Sequence, residues 1–190
     1  METQPGRSRT GLIRRVVVTG SECTGKTTLA RSLAGHYHTV WVPEYSREFV
    51  VAKRAPVGAS DVPAIARGQI ASEEALARRA NRVLVQDTDL LSTIVYSRHY
   101  FGDCPSWIEE ALEKRRPDLY LLADIDMPWV SEPDQRDRGD RREEMQGLFR
   151  DALRSRNVPF ADIRGPEEAR LGAATRAVDQ MMSGNPIAPA

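Results

Sequence analysis

Cysteine is nearly absent from these 190 residues; there are two, Cys23 and Cys104. That leaves no material for a disulfide framework and suits a reducing cytoplasm. An excess of one charge is lacking too, because 27 Lys and Arg stand against 27 Asp and Glu. No overall field draws the chain to nucleic acid or to an anionic membrane. Long apolar runs are missing as well. None approaches the roughly 20 residues that cross a bilayer, and the polar stretch Met1 to Thr10 has no signal-peptide core. A soluble chain with no nucleic-acid partner and no membrane insertion is the expectation. Its 41% hydrophobic content and its length fit one domain over residues 12–182. Residues 1–11 and 183–190, the latter reading SGNPIAPA, are expected to be tails too poor in apolar surface to order themselves.

What is present is a series of short β-branched runs separated by helical patterns. Val16-Val17-Val18 reads as a buried strand that ends at Thr19-Gly20. A helix is expected from Lys26, with Leu29, Leu33 and Tyr37 on one face and Gly35 as its stop. Further strands are expected at 39–42, 83–86, 118–125 and 158–163. Helices are expected from Ser60 as N-cap to Arg79, around Leu91 to Tyr96, from Ser106 as cap to Arg115, around Met145 to Leu153, and from Glu167 to Met182. Strands alternating with helices imply an α/β fold, a five-stranded parallel sheet with helices on both faces. Ligands of such sheets lie beyond the carboxyl ends of the strands. That rule gathers 20–27, 44–47, 87–89 and 126–129 around one cleft.

The first of these segments carries the chemistry. Gly20-Ser21-Glu22-Cys23-Thr24-Gly25-Lys26-Thr27 matches the phosphate-binding P-loop pattern in full, between a strand and a helix, and Thr28 continues it. Its glycines let backbone N–H groups turn toward phosphate oxygens, and the helix amino end adds positive potential. Lys26 would reach the β and γ phosphates, and Thr27 would ligate magnesium. Cys23 contributes only its backbone to this loop. A P-loop NTPase fold follows, with ATP and Mg2+ as the implied ligands.

The loop alone does not distinguish a kinase from a switch or a motor. The base-reading Asn-Lys-x-Asp of GTPases is absent, and the chain is short for the added domains of motors. Arg136, Arg138, Arg141 and Arg142 lie in an almost wholly polar stretch before the penultimate helix. They suit a lid at about 131–142 that excludes water and neutralises transition-state charge; a solvated charge run is the alternative.

GSECTGKTTLA, PEYSREFV, IARGQ, DTDLLSTIVYS with a following FG, and PWV before an Arg-rich stretch occur here in that order. From about Val16 to Arg170 the chain resembles the ribosylnicotinamide kinase family. That resemblance implies transfer of the γ-phosphate of ATP to the 5′-hydroxyl of nicotinamide riboside, giving nicotinamide mononucleotide for NAD salvage, by a free-standing kinase. It suggests Glu44 as general base, although Glu44 is also placed to pair with Arg47 on the surface. Asp87 would hold magnesium or anchor the ribose, and Asp89 would accept ribose hydroxyls, unless one of them caps the next helix. Arg47 would grip a phosphate, and Gln69 would line the site or make a buried helix-to-loop hydrogen bond. Tyr45 and Trp129 are the aromatics placed to meet the cationic ring, with core packing as their alternative. Ser131-Glu132-Pro133-Asp134 stands where many members have Asp-Gly after PWV, so Arg136 is the first choice among the lid arginines, ahead of Arg138 and Arg142. Rival readings are a kinase for another nucleoside or small alcohol, and a regulatory ATP-binding module with little turnover.

Overall fold

The computed structural model describes residues 12–128 and 141–185. Five strands, β1 (Arg14–Thr19), β2 (Trp41–Val42), β3 (Val83–Asp87), β4 (Leu119–Ala123) and β5 (Phe160–Ile163), form one sheet in the order β2-β3-β1-β4-β5. Every pairing is parallel. β1 therefore lies centrally, with Val18 opposite Asp87 of β3 and Leu121 of β4. The end of β1 feeds the phosphate loop directly into the middle of the carboxyl edge.

Strand alternation sorts the core into two layers. Val17, Tyr120, Leu122 and Phe160 point to one face. There they meet α3 (Val62–Ala77), α4 (Leu90–Phe101), α5 (Ser106–Lys114) and α6 (Arg142–Ser155). Val16, Val18, Leu119, Leu121 and Ile163 point to the other, under α1 (Lys26–His36) and α7 (Glu167–Met182). Both faces are covered, which is why the central strands read as unbroken apolar runs. Each fully buried Val, Leu or Ile contributes roughly 1.5–3 kcal/mol.

Several local expectations are corrected. Gly35 does not stop α1; the helix runs on to His36 and closes at Tyr37, whose N–H reaches the Leu33 carbonyl. Ser60 is not the cap of α3, because residues 59–61 form a turn of 3-10 helix and the α-helix starts at Val62 with Pro63 in its first turn. Ser106 is the first residue of α5 and Pro105 occupies the cap position. β2 is shorter than 39–42, since the Thr39 N–H is taken by the Ala34 carbonyl at the end of α1. Leu148, within the helix expected around Met145 to Leu153, is exposed.

The largest departure is α2 (Tyr45–Lys53), a helix where the pattern points only to a segment beyond a strand end at 44–47. None of its side chains is buried. It buries no apolar stripe, and it packs along the rim against α3. The expected tail 1–11 and most of the expected lid, with Trp129, Arg136 and Arg138, lie outside the described residues.

Candidate active site

The phosphate loop is built by backbone conformations that few residues tolerate. Gly20 has φ 127°, and a Cβ there would lie 2.7 Å from the Ala123 carbonyl oxygen. Gly25, at φ 72°, caps α1 from the left-handed region. Inside the loop the Ser21 carbonyl accepts from both Thr24 Oγ1 (2.9 Å) and Lys26 Nζ (2.7 Å), so Lys26 is held bent over the cradle. Thr28 is exposed on the first turn of α1.

Three side chains from the last two helices brace the loop from behind. Gln146 accepts from Ser21 N–H at 3.1 Å and donates to the Ala123 carbonyl. Arg142 donates to the carbonyls of Cys23 and Met127, both at 2.7 Å. Arg170, 3% exposed, donates to the carbonyls of Thr24, Asp124 and Gly165 and pairs with Asp126. Engaging the carbonyls of Cys23 and Thr24 from outside favours peptide planes whose N–H groups face inward. Arg142, expected as an ATP-contacting lid arginine, is thus placed on the loop's carbonyls. The sequence reading missed Arg170 and Gln146. Their signal was spacing: Arg142, Gln146, Phe149 and Leu153 share one helical face, as do Arg170, Ala174, Ala177 and Val178.

Asp87 and Asp89 are two residues apart, yet they serve different places. Thr88 between them has φ 64°, an outlier for a β-branched residue, and it breaks the strand's alternation. Asp87 Oδ2 accepts from Thr27 Oγ1 at 2.5 Å, beside the phosphate loop. Burial, and then the charge of Glu44, push its pKa up. Asp89 turns the other way, accepting from Leu91 N–H as the cap of α4 and from Tyr120 Oη at 2.7 Å. Burial raises its pKa to about 6. Both its carboxylate oxygens are engaged, so of the two readings for this residue the structure favours the helix cap.

Glu44 stands at the amino end of α2. Its carboxylate accepts from Ser46 Oγ (2.8 Å) and from Arg47 Nε (3.1 Å), the latter from an exposed guanidinium. A cavity of about 390 Å³ opens between this carboxylate, Lys26, and the α3–α4 wall. Its apolar lining includes Val50, Val57, Ile65, Tyr96 and Phe101. The volume suits a nucleoside-sized molecule. Gln69 and Asp89 also line it. Tyr45 does not; its ring lies against Gly68 of α3. The aromatic walls are Tyr96 and Phe101, neither of them among the expected site residues.

Thr27 and Asp87 offer a hydroxyl and a carboxylate, hard oxygen donors of the kind magnesium takes beside phosphate oxygens. Asp87 Oδ1 is buried with no hydrogen-bond partner, an oxygen available to an ion or its water. These residues fit magnesium.

Behind the cavity Glu73 is 2% exposed, 3.6 Å from Arg15 and within 3.4 Å of Gln69 Nε2. Burial, followed by the charge of Asp89, raises its pKa to about 7. Between about pH 5 and pH 7 the folded protein therefore keeps a proton that the unfolded chain has released, and stability falls as pH rises through that window. The melting temperature is expected to drop by a few degrees across it, and Glu73→Gln to flatten the drop. Thermal melts at several pH values check this, and equal slopes for both proteins would reject it.

Among the described residues no helix is long and apolar enough to cross a membrane. The trifunctional NAD biosynthesis/regulator protein NadR of Escherichia coli K12 is 28% identical over 177 residues, covering 90% of this chain and 43% of that protein. The chain thus spans less than half the length of this curated relative. The crystal structure of a NadR protein in complex with NAD and AMP-PNP superposes with TM-score 0.71 at 25% identity, over 90% of this chain and 50% of that one. A NadR structure in complex with NR gives TM-score 0.65 at 26% identity, over 93% and 53%. Residues 15–170, most of the sequence and every element that builds the phosphate loop and its brace, match the AAA_28 model, described as an AAA domain, and the chain belongs to that family.

Proposed function

We propose that this chain is an ATP-dependent small-molecule kinase that phosphorylates the 5′-hydroxyl of nicotinamide riboside. One observation carries the reading: the phosphate-loop lysine and the Glu44 carboxylate open on the same nucleoside-sized cavity. Similarity to NadR proteins solved with NR and with AMP-PNP supports both substrates.

In this reading the triphosphate lies along Gly20 to Thr27, with Lys26 on its β and γ oxygens. The nucleoside base rests between Tyr96, Phe101 and the valines of α2, which directs the 5′-hydroxyl toward Glu44. Glu44 accepts the hydroxyl proton as the 5′-oxygen bonds to the γ-phosphorus and the bond to the β–γ bridging oxygen breaks, releasing ADP. Thr27 and Asp87 would hold magnesium, which when bound neutralises charge on the β and γ phosphates. Arg136 and Arg138 remain the proposed lid cations. NAD salvage in the cytoplasm is the proposed setting, and the low cysteine count suits it.

The test is to supply ATP, magnesium and a panel of nucleosides, and to measure ADP and product mass. Nicotinamide riboside is expected to gain one phosphate. Turnover of another nucleoside without nicotinamide riboside would overturn the acceptor. No product from any of them would overturn the kinase reading in favour of an ATP-binding module.

A further inference from the structure

The amino end of a helix normally has its orphan N–H groups satisfied by the side chain at the cap position. In α2 that position is Glu44, yet its side chain makes no capping bond. The Tyr45 N–H, the first of the orphan donors of this helix, is accepted by Gln69 Oε1 of α3, at 3.0 Å. Gln69 is itself 3% exposed, and its amide nitrogen lies toward Glu73 Oε1. The Glu44 carboxylate, which caps no N–H, turns to Ser46, Arg47 and the cavity.

A second contact fixes the same point. The Tyr45 ring lies so close over Gly68 that a Cβ there would fall 2.0 Å from Tyr45 Cε1 and 2.2 Å from Cζ. Gly68 sits mid-helix, where glycine costs roughly 1 kcal/mol against alanine, so its place in α3 calls for a packing reason. The ring supplies one. α2 buries no side chain, so its place on the rim rests on local contacts of this kind, with Lys53 pairing to Asp61 at its other end.

We infer that Gly68 and Gln69 form a seat on α3 that positions Glu44, Gln69 holding the Tyr45 N–H at the start of α2 and Gly68 admitting the Tyr45 ring. They act through Glu44 and touch no reacting atom; both are positioning residues. The inference rests on Glu44 being the base in the proposed reaction, but the seat itself is observable without turnover. A misplacement of about 1 Å in a reacting group costs on the order of 100-fold in rate.

The test combines Gly68→Ala, Gln69→Leu and the double variant Tyr45→Ala/Gly68→Ala, each in the full chain. Either single variant is expected to lower kcat about 100-fold. ATP affinity, measured with a fluorescent nucleotide, and the melting temperature should stay at wild-type values. Amide hydrogen exchange over residues 45–53 should speed up while the sheet stays protected. In a Tyr45→Ala background the Gly68→Ala change should cost nothing further, because the ring it collides with is gone. Unchanged exchange in α2, or unchanged kcat with faster exchange, would overturn the inference, as would an additive double variant. Should Gly68→Ala fail to fold, Gln69→Leu carries the same readouts. A wild-type protein that turns over no nucleoside would sink the proposed function, while the exchange data would still decide whether the seat exists.

Discussion

Glu44→Gln is expected to lose about 100- to 10,000-fold in kcat while binding ATP as tightly as the wild type. The amide is isosteric and still accepts from Ser46 Oγ, so the local geometry is kept. The lost pairing with Arg47 involves an exposed guanidinium, and such a surface pair is worth at most about 1 kcal/mol. What disappears is the ability to take the hydroxyl proton. Steady-state kinetics with nicotinamide riboside and a nucleotide-binding titration separate the two properties. Wild-type kcat in Glu44→Gln would reject this residue as base.

Lys26→Ala is the second large effect, on the order of 100- to 1,000-fold in kcat/KM through loss of one preorganised cationic donor at the transferring phosphate. The fold should survive it, because the Ser21 carbonyl that Lys26 engages also accepts from Thr24 Oγ1. An unchanged melting temperature with collapsed turnover is therefore the expected pair of results. An active Lys26→Ala protein would undermine the reading of Gly20 to Thr27 as the triphosphate site.

The strands of this fold were legible because both faces of the sheet are covered, which makes Val16 to Val18 and Leu119 to Ala123 continuous apolar runs. The phosphate loop was legible because its glycines are demanded by backbone conformation, as the Ala123 carbonyl against Gly20 makes plain. α2 was not legible, since a helix that buries nothing carries no apolar period. Nor was the different orientation of Asp87 and Asp89, which depends on one left-handed residue, Thr88, that no residue preference announces. The braces Arg142, Gln146 and Arg170 bond the loop across more than 110 positions in sequence. Only a polar residue at core spacing hinted at them. Trp129, Arg136 and Arg138 lie outside the described residues and remain proposals.

The two halves of the site differ in how they are attached to the body of the protein. The buried side chains of Arg142, Gln146 and Arg170 anchor the phosphate loop, whereas α2 walls the cavity proposed for the acceptor without burying one side chain. Substitutions at Val50 or Val51 therefore face little purging for lost stability, while those in the brace face a great deal. Over evolutionary time the acceptor preference of such a protein is free to drift, and the choice of a triphosphate donor is not. In a mutational library aimed at new acceptors, α2 is where diversity can be placed with most variants still folded.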